Sequence, residues 1–268
     1  MAKDIKQLRK ALIRKARKQV QIRYSEKDVH VIRAVSALND LDSTFNLLAE
    51  NVIEWYSSHF PELSKVIKDN ESHLKIVKEI GEREKISQKT LSKTLGENEK
   101  AALLEEKAAK SMGSPIPKQA LEQLQLLAGN ALKLKEERKE IQDFIASEIE
   151  KMAPNFSKVA GPIMAARLMA QASGLKQLAM MPASTIQLLG AEKALFRHLK
   201  NKKSKGPKYG ILYGHPLVKK VPGKHKGKVA RTLASKLVLA IRADYFGNKK
   251  DISKEMNQEL EERIKNLK

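Results

Sequence analysis

Residues 151–243 carry 19 Lys/Arg and a single carboxylate, Glu192. That ratio limits the chemistry the segment can perform. General acid–base catalysis recruits a carboxylate, or a histidine held beside one, and one acid in such a field leaves little to build with. His30, His59, His73, His198, His215 and His225 include no i, i+4 pair, and those in the basic region have no companion carboxylates. Metal ligation is therefore not expected. Gly223-Lys224-His225-Lys226-Gly227-Lys228 superficially resembles a phosphate-cradling loop. It lacks the hydroxyl residue after the lysine and a preceding buried strand, so nucleotide hydrolysis is not expected. No glycine-rich nucleotide-binding strand–loop is present either. The residues point to binding without turnover, and to neither cofactor nor metal.

What they would bind is a polyanion. Lys193–Lys236 holds 14 Lys/Arg and no acid, a field that attracts phosphates and makes binding salt-dependent. A helix is expected from about Thr185 to Leu199, opened by Pro182 and Ser184 or Thr185. Spacings of i, i+4 and i, i+3 would set Lys193, Arg197 and Lys200 along one edge. Leu188, Leu189, Leu195 and Leu199 would pack inward, and the turn Gly190-Ala191 would let another surface approach. Asn201-Lys202-Lys203-Ser204-Lys205-Gly206-Pro207-Lys208 reads as a basic loop suited to phosphates. Phosphate contacts position a protein without reading sequence. RNA specificity needs stacking or base-edge contacts, for which His198, Tyr209, Tyr213 and His215 are the candidates.

The elements that must carry this surface are helical. Hydrophobic residues make up 41% of the 268, aromatics only 4%, and Leu, Ala, Lys and Glu dominate. Cysteine is absent, which excludes disulfides and thiolate metal sites. No apolar run reaches a spanning length of about 18 residues, and Met-Ala-Lys-Asp-Ile-Lys lacks a signal-peptide core. Ile5, Leu8, Ala11, Leu12, Ala16 and Val20 have helical spacing under a basic outer face. Ser25, followed by Glu26 and Asp28, opens a second helix running towards His59. Residues 64–150 read as long charged helices, with Gly81 an interruption and Lys118–Met152 the return arm. Ser111 to Pro117 is a turn-rich break near the tip of an antiparallel coiled-coil hairpin. After Pro154 small residues become dense (Gly161 to Ala170), implying short, closely packed helices. Ser204–Lys228 reads as loop, and Gly227–Phe246 as an amphipathic helix.

Charge divides along the same lines. Residues 1–24 are net +8, residues 25–150 net −5, residues 151–243 net +18, and the tail 244–268 balances at six against six. The expected fold is all-α. Residues 1–63 lead into the hairpin, 64–152 form it, and 153–268 form a compact basic domain with a carboxy-terminal helix.

Met181-Pro-Ala-Ser-Thr-Ile-Gln-Leu-Leu-Gly-Ala-Glu-Lys-Ala-Leu-Phe-Arg-His-Leu199 closely resembles the signature helix of the Nop-domain family. Lys208-Tyr-Gly-Ile-Leu-Tyr-Gly-His-Pro-Leu217 and Gly227 to Phe246 resemble the segments that follow it. Glu54-Trp-Tyr-Ser-Ser-His-Phe-Pro-Glu-Leu63, Lys110-Ser-Met-Gly113 and Ala153-Pro-Asn with Gly161-Pro162 resemble its coiled-coil entry, tip and return. The likeness runs in the family's order over roughly residues 25–265.

The resemblance implies a scaffold of a box C/D ribonucleoprotein. It would bind kink-turn RNA already held by a small ribosomal-type kink-turn protein. Gly190, Ala191, Glu192 and Lys193 would meet that protein and the adjoining RNA, with Phe196 added to the protein-facing set. Arg197, Lys200, Lys205 and Lys208 would meet RNA backbone, joined by Gln187, His198, Lys202 and Arg231. The family's coiled coil pairs two copies, and its amino-terminal domain recruits fibrillarin for guide-directed 2′-O-methylation. Only 24 residues precede Ser25, too few for that domain, which leaves fibrillarin recruitment by this chain open. The family's Lys-rich tail is also missing. The implied location is cytoplasmic in an archaeon and nucleolar in a eukaryote. A spliceosomal relative of the same domain, or a coiled-coil adaptor with incidental charge, remains an alternative.

Overall fold

The computed structural model describes residues 9, 10, 12–20, 27–96, 99–247 and 250–265. The regular elements among them are all helices, so the fold is all-α. In chain order these are α1 (Lys27–Tyr56), α2 (Leu63–Val66), α3 (Asn70–Glu79), α4 (Gln88–Leu95), α5 (Ala101–Ala109) and α6 (Lys118–Met152). Then follow α7 (Pro154–Ala160), α8 (Pro162–Gln171), α9 (Leu175–Met180), α10 (Ala183–Leu188), α11 (Glu192–Lys200), α12 (Pro216–Lys219), α13 (Gly223–Phe246) and α14 (Ser253–Lys265). Short 3₁₀ turns lie at Arg83–Lys85 and Ile211–Gly214. Residues 9, 10 and 12–20 are also helical. Ile5, Leu8, Ala11, Ser25 and Glu26, on which the expected starts of the first two helices rest, lie outside the described residues.

The chain divides into two compact units. One is Ala37–Ile141, and the other combines Gln142–Lys268 with the chain up to Ser36. Within Ala37–Ile141, α1 and α6 run antiparallel. Asp42 pairs with Arg138, and three residues on, Phe45 lies under Lys135 three residues back. Ala49, Val52 and Tyr56 share a buried core with Leu124, Ala128 and Ala131. Alanines at these positions let the two backbones approach closely.

Residues 64–110 differ from the expectation of long helices. They break into α2 to α5, and the outgoing arm of the hairpin is α1 instead. The reason is local. Asp69 and Ser87 cap new helices by accepting the N–H groups of Ser72 and Thr90. Gly81, at φ +70°, ends α3 and places its carbonyl 2.6 Å from the Tyr56 hydroxyl that donates to it. The turns bury Phe60, Leu63, Leu74, Ile76, Val77, Leu91 and Leu104 at the hairpin's end.

Ser111 to Pro117 is the expected break, and it is pinned. The Arg83 N–H donates to His59 Nε2 at 3.0 Å, so His59 Nδ1–H must donate to the Ser114 carbonyl, at 2.8 Å. Arg83 Nη1 donates to the Gly113 carbonyl at 2.6 Å. A side chain at position 113 would sit 1.9 Å from the His59 carbonyl, which restricts it to glycine.

In the second unit α13 is the central element, packing on α7 and α10. It buries Val229, Leu233, Leu237 and Ile241, each contributing about 1.5–3 kcal/mol. Asp244, near its end, accepts the N–H of Asn155 at 3.3 Å and of Phe156 at 2.8 Å, capping α7 from another helix. Helix α13 begins four residues earlier than expected, since Pro222 leads Gly223–Lys226 into helix.

Candidate nucleic-acid interface

The expected helix over 185–199 is two helices. Gly190 has φ +84°, a left-handed conformation that favours glycine, and it separates α10 from α11. A Cβ there would also lie 2.7 Å from Ile211 Cγ1. The Leu189 carbonyl accepts the Ile211 N–H at 2.8 Å, and the Gln187 carbonyl accepts the Gly210 N–H at 3.0 Å. The basic loop is thereby tied by its end to the elbow.

Glu192 closes the elbow from the other side. Its Oε1 accepts the Gly190 N–H at 2.7 Å and the Gln171 amide at 3.3 Å. Partial burial pushes this carboxyl up, but hydrogen bonds from Gly190, its own N–H and Gln171 outweigh it and hold it below the usual range. It stays ionised at the positive end of α11.

No residue of α11 is buried. Leu199, expected inside, is 62% exposed because the helix leaves the globule beyond the elbow, and Phe196 is 61% exposed. Of the other leucines expected to pack inward, Leu189 is buried and Leu188 and Leu195 are half-buried. Two stripes result at i, i+4, i+7 spacing. Glu192, Phe196 and Leu199 form one, and Lys193, Arg197 and Lys200, all exposed, form its neighbour. Beside the first lies an open hollow of about 270 Å³ lined by Ser184, Thr185, Leu188, Leu189, Glu192 and Leu195.

Comparison with known proteins decides the family. Residues 37–266 match the family described as Nop, snoRNA binding domain, fibrillarin. The chain belongs to the Nop family. It is 40% identical over 242 residues to an uncharacterized NOP5 family protein of Methanocaldococcus jannaschii, covering 90% of this chain and 58% of the relative. It is also 40% identical over 239 residues to nucleolar protein 58 of Schizosaccharomyces pombe, covering 89% of this chain and 47% of that one. A probable nucleolar protein 5-2 of Arabidopsis thaliana shows 39% identity over 254 residues, covering 94% and 47%. This Nop chain thus spans about half the length of the curated relatives it matches. A solved fibrillarin/Nop5p complex shares the fold, with a TM-score of 0.51 at 24% identity, covering 97% of this chain and 78% of that one.

Around the elbow of this Nop protein, Lys202, Lys205, Lys208 and Arg231 are exposed. His198 Nδ1 lies 2.5 Å from the Ser204 carbonyl, and its ring packs against Gly206, so it fastens the loop. The Gln187 amide donates to the Lys208 carbonyl at 2.7 Å. Both residues are expected at RNA from the sequence, and both direct their visible bonds to loop geometry. Of the stacking candidates, His215 is buried. The Leu217 N–H donates to its Nδ1, which leaves Nε2–H to donate to the Val159 carbonyl. Tyr213 stacks on Tyr209 at 5.1 Å, with Lys226 Nζ 4.7 Å from its ring centre. Sequence reasoning missed two things here. The amide spacing of Gln171 from Glu192 carries no local signal. Leu199 belongs to the outward stripe, which the positive φ at Gly190 produces.

Proposed function

We propose that this chain is a non-catalytic scaffold of a box C/D ribonucleoprotein. It binds kink-turn RNA together with a kink-turn-binding protein and supports guide-directed 2′-O-methylation by fibrillarin. The observation that carries the reading is the pair of stripes on α11. A mixed apolar–acidic stripe of Glu192, Phe196 and Leu199 suits a protein. The adjacent Lys193, Arg197 and Lys200 suit phosphates. One helix then reads a surface that is part protein and part RNA. Gly190 and Ala191 permit close approach at the elbow, and the hollow beside Glu192 takes an apolar side chain of the protein partner. Lys202, Lys205, Lys208 and Arg231 extend the phosphate-facing edge, while Gln187 and His198 hold it in shape.

Two likenesses support the partners: the match to a snoRNA-binding, fibrillarin-associated domain, and the fold shared with a Nop5p solved in complex with fibrillarin. Residues 153–268 form the RNA–protein-binding domain in this reading, and the hairpin pairs copies through exposed Leu47, Trp55 and Leu126. No helix among the described residues is long and apolar enough to cross a membrane. The fungal and plant relatives are named as nucleolar proteins. A eukaryotic carrier of this chain belongs in the nucleolus, an archaeal one in the cytoplasm.

A mobility shift on kink-turn RNA tests the proposal. Without the kink-turn protein, only weak, salt-sensitive binding is expected. With it, a specific complex forms that an RNA with a disrupted kink-turn does not support. Equal specific affinity in the two cases refutes the composite surface.

A further inference from the structure

We infer that residues 12–20 form a second RNA-gripping element that holds phosphates independently of α11. The inference takes RNA as the partner from the proposed function and adds a site to it. Residues 9, 10 and 12–20 are helical, and every one of them is exposed. They include Arg9, Lys10, Arg14, Lys15, Arg17 and Lys18 and no carboxylate. Over residues 12–20, at about 100° per residue, Leu12, Ile13, Ala16 and Val20 fall within an arc of about 100°. Arg14, Lys15, Arg17 and Lys18 fill an arc of about 160° on the opposite side.

Like charges at i, i+3 and i, i+4, such as Arg14 with Lys18 and Arg14 with Arg17, weaken an isolated helix by about 0.2–0.5 kcal/mol per pair. No ion pair offsets them among the described residues. A partner dense in negative charge removes that repulsion, and RNA backbone is the polyanion that the rest of the chain is built to meet. With four cations on one face and Gln19 the one neutral polar side chain among residues 12–20, the face contacts phosphates and reads no bases. The opposite apolar arc is what a protein partner would cover instead, so the two occupants separate by face.

The test uses the full chain with the kink-turn protein and a kink-turn RNA extended by duplex. Arg14, Lys15, Arg17 and Lys18 are replaced together by Gln, a good helix former, and circular dichroism checks helix content. Each phosphate contact contributes roughly 0.7–0.9 to the slope of log affinity against log salt. The variant is expected to lose about 3 from that slope. Its ratio of affinities for intact and disrupted kink-turns should stay unchanged. An unchanged slope overturns the inference. So does loss of fibrillarin from the assembled complex in Leu12→Gln/Val20→Gln while the charge variant binds RNA normally, which would assign the helix to a protein. A wild-type chain that fails to discriminate the two RNAs would sink the proposed function, yet the slope would still report on this helix.

Discussion

The two compact units of this chain use charge in opposite ways. Ala37–Ile141 carries 16 Lys/Arg and 18 Asp/Glu, net −2, and pairs many of them with one another. Glu71 meets both Lys75 and Lys135, Asp42 meets Arg138, and Glu82 meets Lys85. The other unit carries 36 basic groups against 13 acidic, net +23. Of the 14 cations from Lys193 to Lys236, only Lys236 is in an ion pair among the described residues, with Glu259. Self-repulsion of that size opposes folding. Under the proposed function, the phosphates of an RNA offset that repulsion.

The largest expected effect tests that contrast directly. Lys193→Glu with Arg197→Glu reverses two charges of the cationic stripe of α11 and should weaken assembly with RNA and the kink-turn protein about a hundredfold, measured by mobility shift. The slope of log affinity against log salt should fall by about 1.5. Because α11 buries nothing, stability should change by less than about 0.5 kcal/mol. A large loss of stability would mean that these cations are structural, and the contrast between the units would fail.

Much of this is legible in the sequence, unevenly. The return arm Lys118–Met152 and the end of α13 at Phe246 agree with the apolar spacing to the residue, because that spacing is sustained over many turns. Breaks set by backbone geometry are harder. Gly190 reads as a turn that lets another surface approach, but its left-handed φ swings α11 out and exposes Leu199, which periodicity alone places inside. Short helices between residues 63 and 109 hide because their charged composition mimics a longer helix, while the caps at Asp69 and Ser87 depend on side-chain bonds that many loop residues also make. The roles of His198 and Gln187 are obscured for the same reason. A polar side chain in a basic segment gives no sign in the sequence of the loop bonds that it also makes.

A smaller effect sharpens the comparison from the neutral side. His73 is buried at 1% exposure in Ala37–Ile141, against the edge of Tyr56, and neither ring nitrogen has a hydrogen-bond partner among the described residues. Burial lowers its pKa to about 4, from an ordinary value of 6.5. The folded state therefore resists protonation that the unfolded chain accepts, so stability is intact above pH 6.5 and is lost as pH falls towards 4. Between pH 7 and pH 5 the loss from this group is about 2 kcal/mol. Trp55 is the sole tryptophan and lies in the same unit, so its fluorescence in urea reports the unfolding. His73→Leu should be at least as stable at pH 7 and should lose most of that pH dependence. His215 is also lowered, first by burial, but it keeps its Val159 bond and lies in the basic unit. An unchanged pH profile in His73→Leu would show that the carboxylates, not this ring, set the acid limit.

The smallest expected effect concerns what the ion pairs of the neutral unit do. Arg138 forks onto both oxygens of Asp42, with Nη2 to Oδ2 at 3.2 Å, and the two side chains are 27% and 40% exposed. Pairs this accessible are screened by water and salt, and their coupling is usually about 0.2–1 kcal/mol. A double-mutant cycle of Arg138→Ala and Asp42→Ala should return a coupling in that range, shrinking further in about 0.5 M salt. The buried alanines and leucines, not the pair, then hold α1 against α6. What the pair adds is register. Sliding α6 by one turn would bring Arg138 away from Asp42 and Lys135 away from Glu71 together, exchanging two satisfied contacts for unmatched charges. A coupling above about 2 kcal/mol would overturn this division, because the neutral unit would then draw its stability from charge and not from its buried apolar side chains.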